Sequence, residues 1–150
     1  MAVHFFSEQT PFCYKGKRQT KAWIRRIISD VYGLQAGDIS VIFCNDNYLL
    51  QINRQYLQHD YYTDVITFDY SQMPVVSGDV FISIDTVRSN ASEYKSLFYN
   101  ELHRVIIHGI LHLCGEKDKT QQQQTQMRTA EDKSLRLLEM NNDKLKFHVE

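Results

Sequence analysis

The segment from Glu101 to Leu113 constrains the fold most, because its apolar residues fall on several sides of a helix. A helix with one apolar stripe lies on a surface, whereas a helix that is apolar on several sides must be covered by other elements. Asn100 is suited to cap its start, and Gly115 is suited to the left-handed position that ends a helix. The segment therefore predicts a buried central helix. Its apolar residues are Leu102, Val105, Ile106, Ile107, Ile110, Leu111 and Leu113.

Candidate strands and helices surround this central helix. Short runs rich in branched and aromatic residues predict strands, and apolar residues at helical spacing predict helices. Their mixed order predicts an α/β (α+β) fold with a single mixed sheet of about four strands packed with helices. The predicted strands are Val3–Phe6, Ser40–Cys44, Val65–Asp69 and Val80–Ile84, and Leu145–Val149 is a further candidate. The other predicted helices are Lys21–Tyr32, Asn47–Gln55, one capped by Asp85 that runs toward Lys95, and one from about Thr120 to Met140.

The bulk properties predict one soluble domain over residues 1–150. The chain has 43% hydrophobic and 23% charged residues, which is ordinary for a globular protein. No apolar run approaches the roughly 20 residues that span a bilayer, and the N-terminal segment does not resemble a secretory signal. A formal charge of -1 argues against a protein that coats nucleic acid, and no DNA partner is expected. We therefore expect a cytoplasmic location and no membrane partner.

Three residues at the end of the central helix have the spacing of metal ligands. His108 and His112 lie one turn apart on the same helical face, so both imidazoles can reach one ion. A turn at Gly115 can bring Asp118 back toward the same point. The pattern H-x3-H-x2-G-x2-D parallels the long zincin signature, with a carboxylate as the last ligand. Because three protein ligands leave one position for water, the pattern predicts a catalytic metal site.

The residue after the first histidine distinguishes this motif from that of the zincin peptidases. Those enzymes place glutamate there as the general base, and this chain has Gly109. The peptidase hypothesis is therefore weakened, although a metal-dependent hydrolase of another substrate class stays an alternative.

Three ordered motifs resemble the YbeY family of metal-dependent endoribonucleases. HGILHLCGEKD, residues 108–118, is similar to the family's H-G-x-L-H-L-x-G-Y-D-H. INRQYLQHDYYTDVITF, residues 52–68, resembles a second family block, and GDVFIS, residues 78–83, resembles a family strand. The resemblance implies a cytoplasmic zinc-containing endoribonuclease with an α/β fold. It also implies that the partner is RNA of the small ribosomal subunit, in 3′-end maturation and ribosome quality control.

Two departures from the family pattern bear on the site. The family's third histidine falls on Asp118, a harder donor, so Mn²⁺ or another divalent ion is an alternative to Zn²⁺. The family's substrate-facing arginine falls on Leu57, yet a phosphoryl transition state needs positive charge beside it. Arg104 precedes His108 by one helical turn and is our candidate for that cation, with Arg54 as a second. The alternative for Arg104 is a surface or ion-paired arginine.

Asp64 is the second candidate catalytic residue. It can orient a ligand histidine or handle a proton during hydrolysis, and its alternative role is to cap the entry of a strand. Whether water or the RNA 2′-hydroxyl attacks the phosphorus stays open. The missing arginine at Leu57 also leaves open a non-catalytic, metal-stabilised ribosome-assembly factor.

Overall fold

The computed structural model describes residues 2–58 and 63–149, with side chains as far as residue 140. Residues 59–62, which belong to the second motif, lie outside this description. The strands are β1 (Val3–Glu8), β2 (Gln35–Cys44), β3 (Val65–Asp69) and β4 (Val75–Ser83). The helices are α1 (Lys17–Arg26), α2 (Asp46–Leu57), α3 (Ile84–Glu93), α4 (Phe98–Leu113) and α5 (Gln121–Val149), and a π-helical turn, Ile27–Val31, extends α1.

The four strands form one mixed sheet in the order β1-β2-β4-β3. β1, β2 and β4 are parallel, and β3 pairs with β4 in the antiparallel direction at one edge. Parallel neighbours need a crossover connection, which α1 provides between β1 and β2. The prediction of a mixed α+β fold with about four strands is confirmed. No helix among the residues described is long and apolar enough to cross a membrane.

The central helix α4 is covered on several sides, as its apolar pattern predicts. It packs against β3 and β4 of the sheet and against α3 and α5. All of its predicted apolar residues are buried. Burial of this kind is the main favourable contribution to folding, and it places the end of α4 at a fixed position above the sheet.

Gly109 brings α4 close to the sheet. A Cβ atom added there would lie 2.5 Å from Cγ1 of Val80 and 3.3 Å from Cγ2 of Thr67. Val80 is fully buried, and its branched side chain has few rotamers into which it can move. Position 109 therefore cannot hold a larger residue without displacing the helix.

Replacing Gly109 by alanine is expected to destabilise the protein. Overpacking of this kind costs about 1–3 kcal/mol, which exceeds the gain of about 1 kcal/mol in helix propensity. The free energy of unfolding in urea measures the effect, with Ser89→Ala on the exposed part of α3 as the control for propensity alone. A Gly109→Ala variant as stable as the Ser89→Ala control would contradict the close packing.

Two predicted helix starts were wrong. α3 begins after Ser83, whose Oγ accepts from the backbone N–H of Thr86 at 3.3 Å. Asp85 does not cap this helix, because its carboxylate accepts from the backbone N–H of Asp46 at 3.1 Å. α4 begins at Phe98 rather than after Asn100, and the Phe98 ring packs edge-on to that of Phe12. Packing at the first turn therefore extends the helix beyond the polar residue that is suited to cap it.

The candidate terminal strand was also wrong. The backbone of Leu145–Val149 continues α5. Neither glycine nor proline interrupts the chain between residues 121 and 149, so the sequence contains no strong signal to end the helix.

Candidate metal centre

The side chains of His108, His112 and Asp118 converge at the C-terminal end of α4. The Nε2 atoms of the two histidines are 3.1 Å apart. Oδ2 of Asp118 lies 3.1 Å from Nε2 of His112 and 3.3 Å from Nε2 of His108. The structure thus brings together the three residues that the spacing singled out, and it places them where a metal ion could bind.

Gly115 makes this convergence possible. Its φ of 107° lies in the left-handed region, which residues with a side chain rarely adopt. The backbone N–H of Glu116 donates back to the carbonyl oxygen of Leu111 at 3.0 Å, which closes the end of α4. The chain reverses there, and Asp118 returns to the histidine face as predicted.

Hydrogen bonds fix which nitrogen of each histidine is directed toward the site. Nδ1 of His112 lies 3.0 Å from the carbonyl oxygen of Glu116, which can only accept. Nδ1 of His108 lies 2.6 Å from a carboxylate oxygen of Glu131. Both Nδ1 atoms therefore donate, and Nε2 of each ring, the atom left to bind a metal ion, faces the other ring and Asp118. A divalent cation bound at this point would be held by the two Nε2 atoms and by a carboxylate oxygen of Asp118.

The three donor atoms fit a small divalent cation. Tetrahedral Zn²⁺ with bonds of about 2.0 Å has ligand atoms about 3.3 Å apart, and the measured separations are 3.1 to 3.3 Å. Two imidazole nitrogens and one carboxylate oxygen suit zinc and are acceptable to manganese. Among the residues described, the donor atoms close enough to share one ion belong to His108, His112 and Asp118, and Cys114 is not one of them.

Glu131 of α5 supports the first histidine, and the sequence patterns did not identify it. It is only 5% exposed, and its two carboxylate oxygens contact different partners. One lies 2.6 Å from Nδ1 of His108, and the other lies 2.9 Å from Nη1 of Arg104. Although burial opposes both shifts, the contact between Glu131 and His108 raises the pKa of His108 and lowers the pKa of Glu131. An ionised Glu131 therefore fixes the ring of His108 and makes it a stronger donor.

The sequence does contain a signal for Glu131. In α5 the buried positions Met127, Glu131, Ser134 and Leu138 recur at intervals of three and four residues. A carboxylate within such a stripe has to be paired, because an isolated buried charge is costly. The pattern could thus have marked Glu131 as a residue with a specific partner.

Arg104 is held by two carboxylates. Nη1 lies 2.9 Å from Glu131, and Nη2 lies 2.8 Å from Asp132. This is the ion-paired arrangement that the sequence left open as an alternative to a catalytic cation. The catalytic role of Arg104 stays a prediction, and its contacts favour a role in holding Glu131.

Asp64 lies beside His108, at the start of β3. Together with Arg104 and His108 it lines a cavity of about 270 Å³. Burial raises the pKa of the Asp64 carboxyl, and the charge of His108 opposes that shift. Interactions of the carboxylate with the backbone at Asp64 and Val65 also oppose the rise in its pKa. The geometry is therefore compatible with both predicted roles, a proton acceptor and a cap at the entry of the strand.

Comparison with known proteins identifies the family. The model of the family described as Endoribonuclease YbeY matches residues 7–139. The chain belongs to the YbeY family. The YbeY endoribonuclease of Phocaeicola vulgatus is 53% identical over 124 residues, which cover 83% of this chain and 89% of that protein. The YbeY endoribonuclease of Bacteroides thetaiotaomicron is 51% identical over 135 residues, or 90% and 98% of the two chains.

A solved structure has the same overall fold as this chain. The solution structure of a protein from Thermotoga maritima superposes with a TM-score of 0.60 and covers 93% of each chain. The two sequences are 23% identical, so this likeness concerns the fold alone.

Leu57, where the chain departs from the YbeY pattern, lies just before residues 59–62, which the structure does not describe. Leu57 is the last residue of α2 and is 40% exposed. The second candidate cation, Arg54, is an exposed residue of the same helix and already has an interaction partner. The structure therefore gives no reason to prefer Arg54 as the replacement for the family arginine.

Proposed function

We propose that this chain is a zinc-dependent endoribonuclease that cleaves single-stranded RNA. We further propose the 3′ end of small-subunit ribosomal RNA as its substrate and the cytoplasm as its location. The observation that carries the proposal is the convergence of three electron-pair donors from His108, His112 and Asp118 beside a polar cavity. Membership of a family described as an endoribonuclease gives the substrate class.

In this proposal the three donors hold the metal, and neighbouring residues prepare the substrate. When bound, a divalent ion supplies a Lewis acid for a phosphoryl oxygen and acidifies water. Asp64 accepts the proton of the attacking hydroxyl, whether that belongs to water or to the RNA ribose. Arg104 keeps Glu131 in place. The guanidinium N–H groups of Arg104 that do not contact Glu131 or Asp132 donate to a phosphoryl oxygen of the substrate.

The packing of Gly109 argues against the peptidase alternative. A zincin peptidase needs a glutamate side chain at this position to activate water. Here the position faces Val80 and Thr67 of the sheet, and even a Cβ atom would lie 2.5 Å from Val80. A base at residue 109 would therefore displace the helix that bears both histidines.

A cleavage assay on RNA and on peptides, with and without chelator, tests the proposed function. We expect single-stranded RNA to be cut, the activity to disappear with chelator, and zinc or manganese to restore it. Peptide products would favour the alternative of a metal-dependent hydrolase that acts on another class of substrate. Intact RNA and intact peptide under all conditions would favour the assembly factor and contradict the proposal.

A further inference from the structure

A second cavity continues from the metal centre along α3, α4 and α5. Its volume is about 700 Å³, in the range of about 300–1,000 Å³ that small-molecule sites occupy. It shares walls with the smaller cavity that Asp64 and His108 line, so the two form one groove. The shared residues are Tyr94, Glu101, Arg104 and Arg128. The proposed mechanism assigns no role to Tyr94, to Arg128 or to the larger cavity.

Arg128 is the more accessible of the two arginines in this groove. Its side chain is 66% exposed, and the ion pair described for it, from Nη1 to Glu131, is long at 4.0 Å. The side chain of Arg104 is 22% exposed and makes two contacts below 3 Å. Arg128 also lies near the charge of Glu101, but its ion pair with Glu131 is long and its own side chain is exposed, so it can turn toward a ligand anion.

Tyr94 offers an aromatic face in the same groove. It follows α3 and is 66% exposed, although large aromatic side chains usually bury most of their area. Polar Ser96 and Asn100 and apolar Leu135 also line the larger cavity. A flat ring, hydrogen-bonding groups and an exposed cation are the features that bind a nucleotide of a single strand.

We propose that this groove binds the nucleotide adjacent to the scissile phosphate, with its base stacked on Tyr94 and its phosphate against Arg128. The inference rests on the proposed function, because the metal centre defines the scissile position. In this inference Arg128 of α5 supplies the positive charge that the family pattern places at residue 57. It also gives a reason for a single-stranded substrate, since a base inside a duplex cannot stack on a protein ring.

Binding of a single-stranded RNA with methylated 2′-hydroxyls to the zinc-loaded protein tests this inference. Fluorescence anisotropy gives Kd, and a gel confirms that the RNA stays intact. For Arg128→Gln we expect Kd to rise about tenfold and the slope of log K against log salt to fall by about 0.7, as for one lost phosphate contact. For Tyr94→Leu we expect a rise of about tenfold, and Tyr94→Phe should bind as the wild type does.

Two matched controls separate the groove from general effects. Arg136→Gln removes an exposed arginine of α5, and Tyr70→Leu removes a tyrosine that is 60% exposed; neither residue lines the groove. Both should bind as the wild type does. Unchanged Kd values for Arg128→Gln and Tyr94→Leu, or equally tight binding of a duplex, would overturn the inference. The proposed function is tested separately, by the cleavage assay on the wild-type protein. Loss of binding in the Arg128→Gln and Tyr94→Leu variants therefore supports the inference even if the wild-type protein cuts no RNA.

Discussion

Replacing His112 by alanine is expected to abolish zinc binding and to lower the rate of RNA cleavage by roughly three orders of magnitude. The side chain supplies one of three donors, and its Nε2 lies 3.1 Å from each of the other two donor atoms. Without it, two donors cannot hold the ion in a fixed position. Initial rates on a single-stranded RNA, with zinc per chain measured on the same samples, record both effects.

His4→Ala is the matched control for this prediction. His4 is an exposed histidine of β1, on a strand at the opposite edge of the sheet from β3. This variant should keep both its zinc and its activity. A His112→Ala protein that cleaves RNA at the wild-type rate would show that the reaction does not use the metal centre.

Replacing Glu131 by glutamine is expected to weaken zinc binding about 10- to 100-fold, as loss of a partner behind a ligand histidine typically does. Glutamine keeps the shape of the side chain but removes the charge that His108 and Arg104 share. Because Arg104 then loses its more buried partner, we also expect the free energy of unfolding to fall by about 3 kcal/mol. Competition with a zinc indicator and urea denaturation of the metal-free protein measure the two effects separately.

Asp132→Asn is the control for the Glu131 prediction. Asp132 also pairs with Arg104, but its side chain is 45% exposed and it makes no contact with His108 described in the structure. The loss in stability should be below about 1 kcal/mol, and zinc affinity should not change. If Glu131→Gln loses stability but binds zinc as the wild type does, Glu131 is structural and does not position His108.

The sequence predicts those features that depend on neighbouring residues. Burial of α4 follows from apolar side chains on several of its faces, whatever the strand order. The convergence of His108, His112 and Asp118 follows from one helical turn and one glycine, all within eleven residues of chain. Local geometry of this kind is the same in any fold that contains the segment, and the structure agrees with it.

Features that depend on packing between distant segments could not be predicted in this way. Glu131 reaches His108 across 23 residues of sequence, and only the packing of α5 on α4 brings them together. The same packing pairs Arg104 with two carboxylates. Asp85 bonds to Asp46 across 39 residues and is therefore not available as a cap. In each case a tertiary partner decides between roles that the local sequence allows equally.

The metal content of the purified protein beside that of an Asp118→Ala variant tests the central claim most directly. Both proteins are prepared with zinc present, dialysed against metal-free buffer and analysed for bound metal. We predict about one zinc ion for each wild-type chain, as three protein ligands support, and a large loss in the variant. A wild-type protein without bound metal, or equal zinc in the two proteins, would contradict the assignment of His108, His112 and Asp118 as the metal centre.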